Sequence, residues 1–220
     1  MIVNFNAMKK GIFITFEGID GSGKTTQINA LIDRLQAAGI SYLLLREPGG
    51  TEIGEKIRDI LLDKNHHRMC AITELLLYSA SRYQLTESRI IPALETGEVV
   101  ICDRFYDSTT AYQGYGRGID LDFIRQLNTV ATKSLAPDKT FILDITLDER
   151  HRRLGRKSLD RLEKEALDFH QRVRAGFLKM AIDEPQRLVV LNGNQNPDKL
   201  SNQIWEHFKL IKETKANETK

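Results

Sequence analysis

Gly18-Ile-Asp-Gly-Ser-Gly23-Lys24-Thr25 is the stretch that decides the fold, because of what flanks it. Before it runs Gly11-Ile-Phe-Ile-Thr-Phe-Glu17, an apolar segment of strand length. After it, Thr25 to Ala38 carries Ile28, Leu31, Ile32 and Leu35 at helical spacing, with Gly39 as a stop. The pattern G-x-x-x-x-G-K-[ST] between a strand and a helix is a phosphate-binding loop. Its glycines let successive N–H groups converge on phosphate oxygens, and the helix start adds a positive dipole end. Gly18, Ile19, Asp20, Gly21, Ser22, Gly23, Lys24, Thr25 and Thr26 are therefore the candidate contacts to a nucleoside triphosphate. Lys24 supplies a point charge to the β- and γ-phosphates, and the Thr25 hydroxyl is a Mg²⁺ ligand.

Working outward, helix-length segments alternate with apolar runs bounded by turn residues. Strands are expected at 41–45, 98–102, 140–145 and 188–191. Helices are expected near 52–62, 71–94 (with Pro92 kinking or shortening its end), 121–135, 158–181 and 199–212. Such alternation implies βαβ crossovers and a mostly parallel sheet covered on both faces, a three-layer α/β/α sandwich. At 220 residues one domain suffices, and the polar tail after Leu210 is expected to fray. No apolar run reaches the roughly 18 residues of a bilayer span, and the amino terminus has no signal layout. With 32 basic and 30 acidic residues there is no general attraction to nucleic acid or membrane. Cys70 and Cys102 have no CxxC partner, which fits a reduced, cytoplasmic protein.

Val99-Val-Ile-Cys-Asp103 ends a buried strand in an acid, at the sheet edge where ligands collect. Asp103 is thus the candidate for orienting magnesium through water, ahead of Asp144, which more strand-like residues follow. The chain has no Asn-Lys pair, and its only D-x-x-G lies inside the loop, so a guanine-reading switch is excluded. A small-molecule kinase fits the length and needs a second anion site. Arg46, Arg58, Arg82 and Arg104 fall where they could border the sheet's carboxyl edge. Between Arg150 and Arg161, six of twelve residues are Lys or Arg, a density that suits a lid at about 148–162.

Further motifs narrow the class. Phe16-Glu-Gly-Ile-Asp-Gly-Ser-Gly-Lys-Thr-Thr26, Arg46-Glu-Pro-Gly-Gly-Thr51, Leu77-Tyr-Ser-Ala-Ser-Arg82, Asp103-Arg104 with Ala111-Tyr-Gln-Gly114, and Leu159-Asp-Arg-Leu-Glu163 stand in one order over residues 11–182. Together they resemble bacterial thymidylate kinase, of the P-loop nucleoside monophosphate kinase class. The resemblance implies a five-stranded parallel sheet, transfer of the γ-phosphoryl group of ATP to dTMP with Mg²⁺, and a homodimer, through helices near 71–94 and 121–135. Carried over residue by residue, it puts Lys24 and Arg104 at the transferred phosphate and Asp103 on the metal side. Arg58 and Arg82 would hold dTMP, the Tyr78 ring would stack on thymine, and Thr109 and Gln113 would lie near the base. Asp20 and Tyr112 would lie beside the sugar. Residues 19–22 contain no arginine, so the lid must supply the cation for the transition state, from Arg152, Arg153 or Arg156. Tyr78, Phe105 and Thr109 depart from the residues usual there, none of them a group that phosphoryl transfer requires. The competing reading is another P-loop small-molecule or nucleoside monophosphate kinase.

Overall fold

The computed structural model describes residues 10–155, 160–163 and 165–218. Five strands, β1 (Ile12–Glu17), β2 (Tyr42–Arg46), β3 (Val99–Asp103), β4 (Lys139–Asp144) and β5 (Leu188–Asn192), form one sheet in the order β2-β3-β1-β4-β5. All four pairings are parallel. The chain leaves β1 towards one edge and leaves β3 towards the other, so a crevice opens at the carboxyl ends of these two neighbours. Phe16 is level with Asp103, which sets the start of the phosphate loop beside the end of β3.

Side chains alternate across the sheet with period two. Ile12, Ile14, Phe16, Val99, Ile101, Phe141, Leu143 and Leu191 face helices α1 (Lys24–Ala37) and α9 (Pro197–Glu218) through Ile28, Leu31, Leu35, Leu200, Ile204 and Phe208. On the other face Phe13, Val100 and Cys102 pack under α3 (Ala71–Leu85) and α4 (Ile91–Glu95). Ile142 and Leu188 pack under α8 (Leu167–Asp183) through Phe169, Val173 and Phe177. The three-layer sandwich expected from the alternation is the observed architecture. The remaining α-helices among the described residues are α2 (Glu52–Leu62), α5 (Tyr106–Thr109), α6 (Leu121–Thr132) and α7 (Leu147–Leu154).

Four departures from the sequence expectation have local causes. The helix expected over 71–94 is α3 and α4 joined by a π-helical turn, Thr86–Ile90; Pro92 offers no N–H to an unbroken ladder. Helix α6 stops at Thr132 because Lys133 and Ser134 both take positive φ, 53° and 62°. Of the helix expected over 158–181, positions 158, 159 and 164 lie outside the described residues, and among the described ones it begins at Leu167. Before it, Asp160 and Glu163 cap each other, each backbone N–H donating to the other's carboxylate at 2.8 Å. Finally, the last helix, expected to end near 212, extends to Glu218, and Lys215 within it bonds the Gly11 carbonyl and pairs with Asp138 at 3.1 Å.

Candidate active site

The loop after β1 turns through three glycines at positive φ, Gly18 (130°), Gly21 (81°) and Gly23 (100°), angles that side chains resist. At Gly18 a Cβ would also lie 2.5 Å from the Leu143 carbonyl oxygen. The loop surrounds the Lys24 Nζ, which donates to the Gly18 carbonyl at 3.2 Å. Burial, then the Arg104 charge, pushes the Lys24 ammonium down, with Asp103, Asp20 and Glu17 acting against them. An arriving polyphosphate would relieve that conflict.

Arg104 follows β3 with φ 69°, a left-handed conformation rare for a residue with a side chain. Its N–H donates to the Phe16 carbonyl at 2.9 Å, tying it to the loop's root. Nη1 donates to the Gly18 carbonyl at 3.0 Å and to Ser108 Oγ at 3.2 Å, and Nη2 meets Asp20 Oδ1 at 2.7 Å. The guanidinium lies 5.3 Å from the centre of the Tyr112 ring. Burial alone would raise Asp20, but Arg104 and Lys24 hold its carboxyl at about 2.

Beneath this turn sits Glu17, an acid that closes a buried strand as Asp103 does, so the same signal could have singled it out. Its Oε1 accepts the N–H groups of Phe105 at 2.7 Å and Ser108 at 3.2 Å, and its Oε2 accepts the Ser108 hydroxyl at 2.5 Å. Ser108 bridges to Arg104, so Glu17 helps hold the strained turn.

The loop opens onto a cleft of about 710 Å³, within the usual range for small-molecule sites. Its walls bring together Asp20, Gly21, Ser22, Gly23, Lys24, Thr25 and Thr26 with Asp103, Arg104, Arg58, Tyr78, Thr109, Tyr112 and Gln113, all singled out from sequence. Arg46 also lines it but is paired with Glu55 at 2.7 Å, while Arg58 donates to the Pro48 carbonyl at 2.9 Å. Gly18 and Ile19 lie behind the loop, the latter in the core.

Arg82 does not open onto the cleft. It is 1% exposed, and its nitrogens reach Glu47 Oε2 (2.7 Å), Thr109 Oγ1 (2.8 Å) and the Phe105 carbonyl (3.2 Å). The basic segment divides likewise. Arg153 lies over the phosphate loop, donating to the carbonyls of Gly21 (3.1 Å), Ser22 (3.3 Å) and Gly193 (2.9 Å). Arg152, a residue earlier on α7, points away with a side chain 73% exposed and paired to Glu149 at 2.7 Å. Arg156 is outside the described residues. Leu154, Asp160, Leu162 and Glu163 line the cleft as well, though sequence reasoning assigned them no individual part.

A magnesium ion has a donor set here. Asp103 Oδ1 and Ser22 Oγ are buried without a protein partner, beside Thr25 on the cleft wall. A buried carboxylate oxygen with nothing to accept from is what a hydrated cation would satisfy. Asp144, the rival, is spent in a two-pronged pair with Arg174 at 2.6 and 2.7 Å.

Known proteins resemble the chain along nearly all of its length. A family model described as Thymidylate kinase matches residues 16–204. A thymidylate kinase of Thermoanaerobacter sp. (strain X514) is 49% identical over 195 residues, 89% of this chain and 96% of that protein. One from Caldanaerobacter subterraneus subsp. tengcongensis is 50% identical over 186 residues, 84% of this chain and 89% of the relative. The crystal structure of thymidylate kinase from Ehrlichia chaffeensis superposes with a TM-score of 0.74 at 36% identity, covering 90% of this chain and 98% of that one.

Proposed function

Because this chain belongs to the thymidylate kinase family, its reaction is the transfer of the γ-phosphoryl group of ATP to dTMP, and we propose how its own residues carry that out. The observation that supports the assignment is that a phosphate-binding loop and a second set of cations and rings share one cleft. The loop N–H groups and Lys24 hold the ATP phosphates. Arg58 binds the phosphate of dTMP, the Tyr78 ring stacks on the base, and Thr109 and Gln113 meet its polar edge. Tyr112 and Asp20 lie beside the sugar. Arg82, with its nitrogens taken, supports that wall from behind.

The acceptor phosphate is already ionised at neutral pH, so no general base is needed. Catalysis is positioning plus neutralisation of two anions. Arg104 stands between the two phosphate sites, and Arg153 reaches over the loop to the group in transit as part of a lid spanning about 148–162. Thr25, and Asp103 through water, would hold magnesium, which when bound screens the phosphate charge. We further propose that the enzyme works in the cytoplasm as a homodimer; no helix among the described residues is long and apolar enough to cross a membrane.

The test is ADP release with ATP, Mg²⁺ and a panel of dTMP, dUMP, UMP, dCMP, AMP and GMP. A marked preference for dTMP is expected. Preference for another monophosphate would overturn the substrate-side assignments while leaving the loop's role standing.

A further inference from the structure

The turn that carries Arg104 is gripped by buried charge from more than one side, and one grip comes from the far edge of the sheet. Helix α5 starts two residues after Arg104, and its third residue, Ser108, accepts from Arg104 Nη1 at 3.2 Å. Whatever fixes this first helical turn therefore fixes how the Arg104 guanidinium lies. Glu17 takes the N–H groups of Phe105 and Ser108, which the start of a helix leaves without partners. Arg82 donates to the Phe105 carbonyl at 3.2 Å.

The third anchor is Arg187, the residue before β5, 80 positions from Asp107 and three strands across the sheet from β3. Its Nη1 meets Asp107 Oδ2 at 2.6 Å and its Nη2 meets Oδ1 at 2.8 Å, a two-pronged pair. Nη1 also donates to Thr140 Oγ1 at 3.0 Å, and Nε to Glu184 Oε2 at 2.8 Å, so the fork is held in one orientation. The guanidinium lies 5.0 Å from the centre of the Tyr106 ring. One side chain thus grips both residues that precede Ser108. Asp107 is 1% exposed and the Arg187 side chain 12%, and neither residue lines the cleft. Net stability is a poor account of such a pair, because desolvation offsets most of the attraction and apolar side chains of the same volume often do as well. What two parallel bonds supply is direction.

We propose that the Arg187–Asp107 pair is a positioning element for phosphoryl transfer: it sets the first turn of α5, and through Ser108 the Arg104 guanidinium, where the group in transit meets it. Arg187 and Asp107 are positioning residues, since both act through Arg104. The inference rests on the role given to Arg104 above. Turnover of Arg104→Ala tests that role, and the dependence of the Arg187 effect on Arg104 tests this one.

The experiment measures kcat and KM for ATP and dTMP in the wild type, Arg187→Met, Arg104→Ala and the double variant, each well below its melting temperature. Methionine keeps an unbranched side chain and removes the fork. With Arg104 present, Arg187→Met is expected to lower kcat by about 10-fold and to leave KM for ATP within about twofold, because a misplaced cation is missed chiefly in the transition state. In Arg104→Ala the same substitution is expected to change kcat by less than about twofold, since the group it positions is gone. Wild-type kcat in folded Arg187→Met would overturn the proposal. So would an equal fold-loss in both backgrounds, which is what general loosening of the fold would give. Should Arg187→Met not fold, Asp107→Asn, which keeps the shape and loses one prong, takes its place in the same cycle and is judged by the same outcomes.

Discussion

Arg104 carries both a charge and a strained backbone, and the two can be separated by substitution. At φ 69° a side chain is disfavoured by about 1–2 kcal/mol, a strain balanced by the bonds to Phe16, Gly18, Ser108 and Asp20. Arg104→Ala and Arg104→Gly are both expected to lower kcat by at least about 10²-fold, and so is Lys24→Ala. Between the first two, the glycine variant should melt higher, since it alone sheds the strain. Near-normal turnover in any of the three would remove that residue from the mechanism. The two neighbouring arginines of α7 give a sharper contrast. Arg153→Ala should lower kcat by about 10²-fold, whereas Arg152→Ala, which breaks only an exposed pair, should leave it within about twofold. Equal effects would contradict the assignment. Glu17 adds a pH dependence. Burial, then the charge of Asp107, pushes its carboxyl up to about 7 despite its hydrogen bonds. The folded chain therefore keeps a proton that the unfolded chain loses near 4.5, and stability falls as pH rises through that window. Glu17→Gln should flatten this part of the stability curve, read as urea midpoints at closely spaced pH values. A slope identical to wild type would show that Glu17 is not its source.

The π-helical segment Thr110–Gly116 follows α5 and carries Tyr112 and Gln113 into the cleft, and it is seated by glycines. Gly176 of α8 faces Tyr115 so closely that a Cβ there would lie 2.9 Å from the Tyr115 Cβ, an atom that cannot swing aside. Alanine gains about 1 kcal/mol of helix preference, but overpacking costs about 1–3 kcal/mol, so the clash wins. Gly176→Ala should lower the melting temperature by a few degrees and raise KM for dTMP by shifting the segment; an unchanged melting curve would show that α8 has room to give. Val99–Asp103 was legible because a buried parallel strand is an unbroken apolar run, and its closing acid marks the ligand edge. The π turns were not, because they conserve helical composition and differ only in where the ladder slips. The basic run revealed cations near the cleft, but not that Arg153 and Arg152, about 100° apart around one helix, face loop and solvent. The burial of Arg82 was not legible either, because nothing in its neighbours announces Glu47, 35 positions away.

Across the whole molecule, α2, α3 and α6 pack side by side and leave apolar side chains uncovered. Ile53 is 54% exposed, Leu76 50% and Val130 58%, with Ile60, Ile72, Tyr83 and Phe123 also exposed. So many large apolar residues on adjoining helices form a patch that water disfavours and a second copy would cover. Sedimentation is expected to give twice the monomer mass, and Leu76→Asp with Val130→Asp to halve it; a wild-type monomer at micromolar concentration would refute the homodimer. The sheet order was not readable from the sequence, since strand neighbours are chosen by packing across three layers rather than by any local run. Lastly, Lys215 near the end of α9 touches Gly11 at the start of β1, on the edge of the sheet opposite the cleft. The described residues therefore nearly close into a ring, and a peptide joining the last turns of α9 to the start of β1, with new termini cut in a surface loop, is expected to give circularly permuted enzymes that leave the cleft unobstructed.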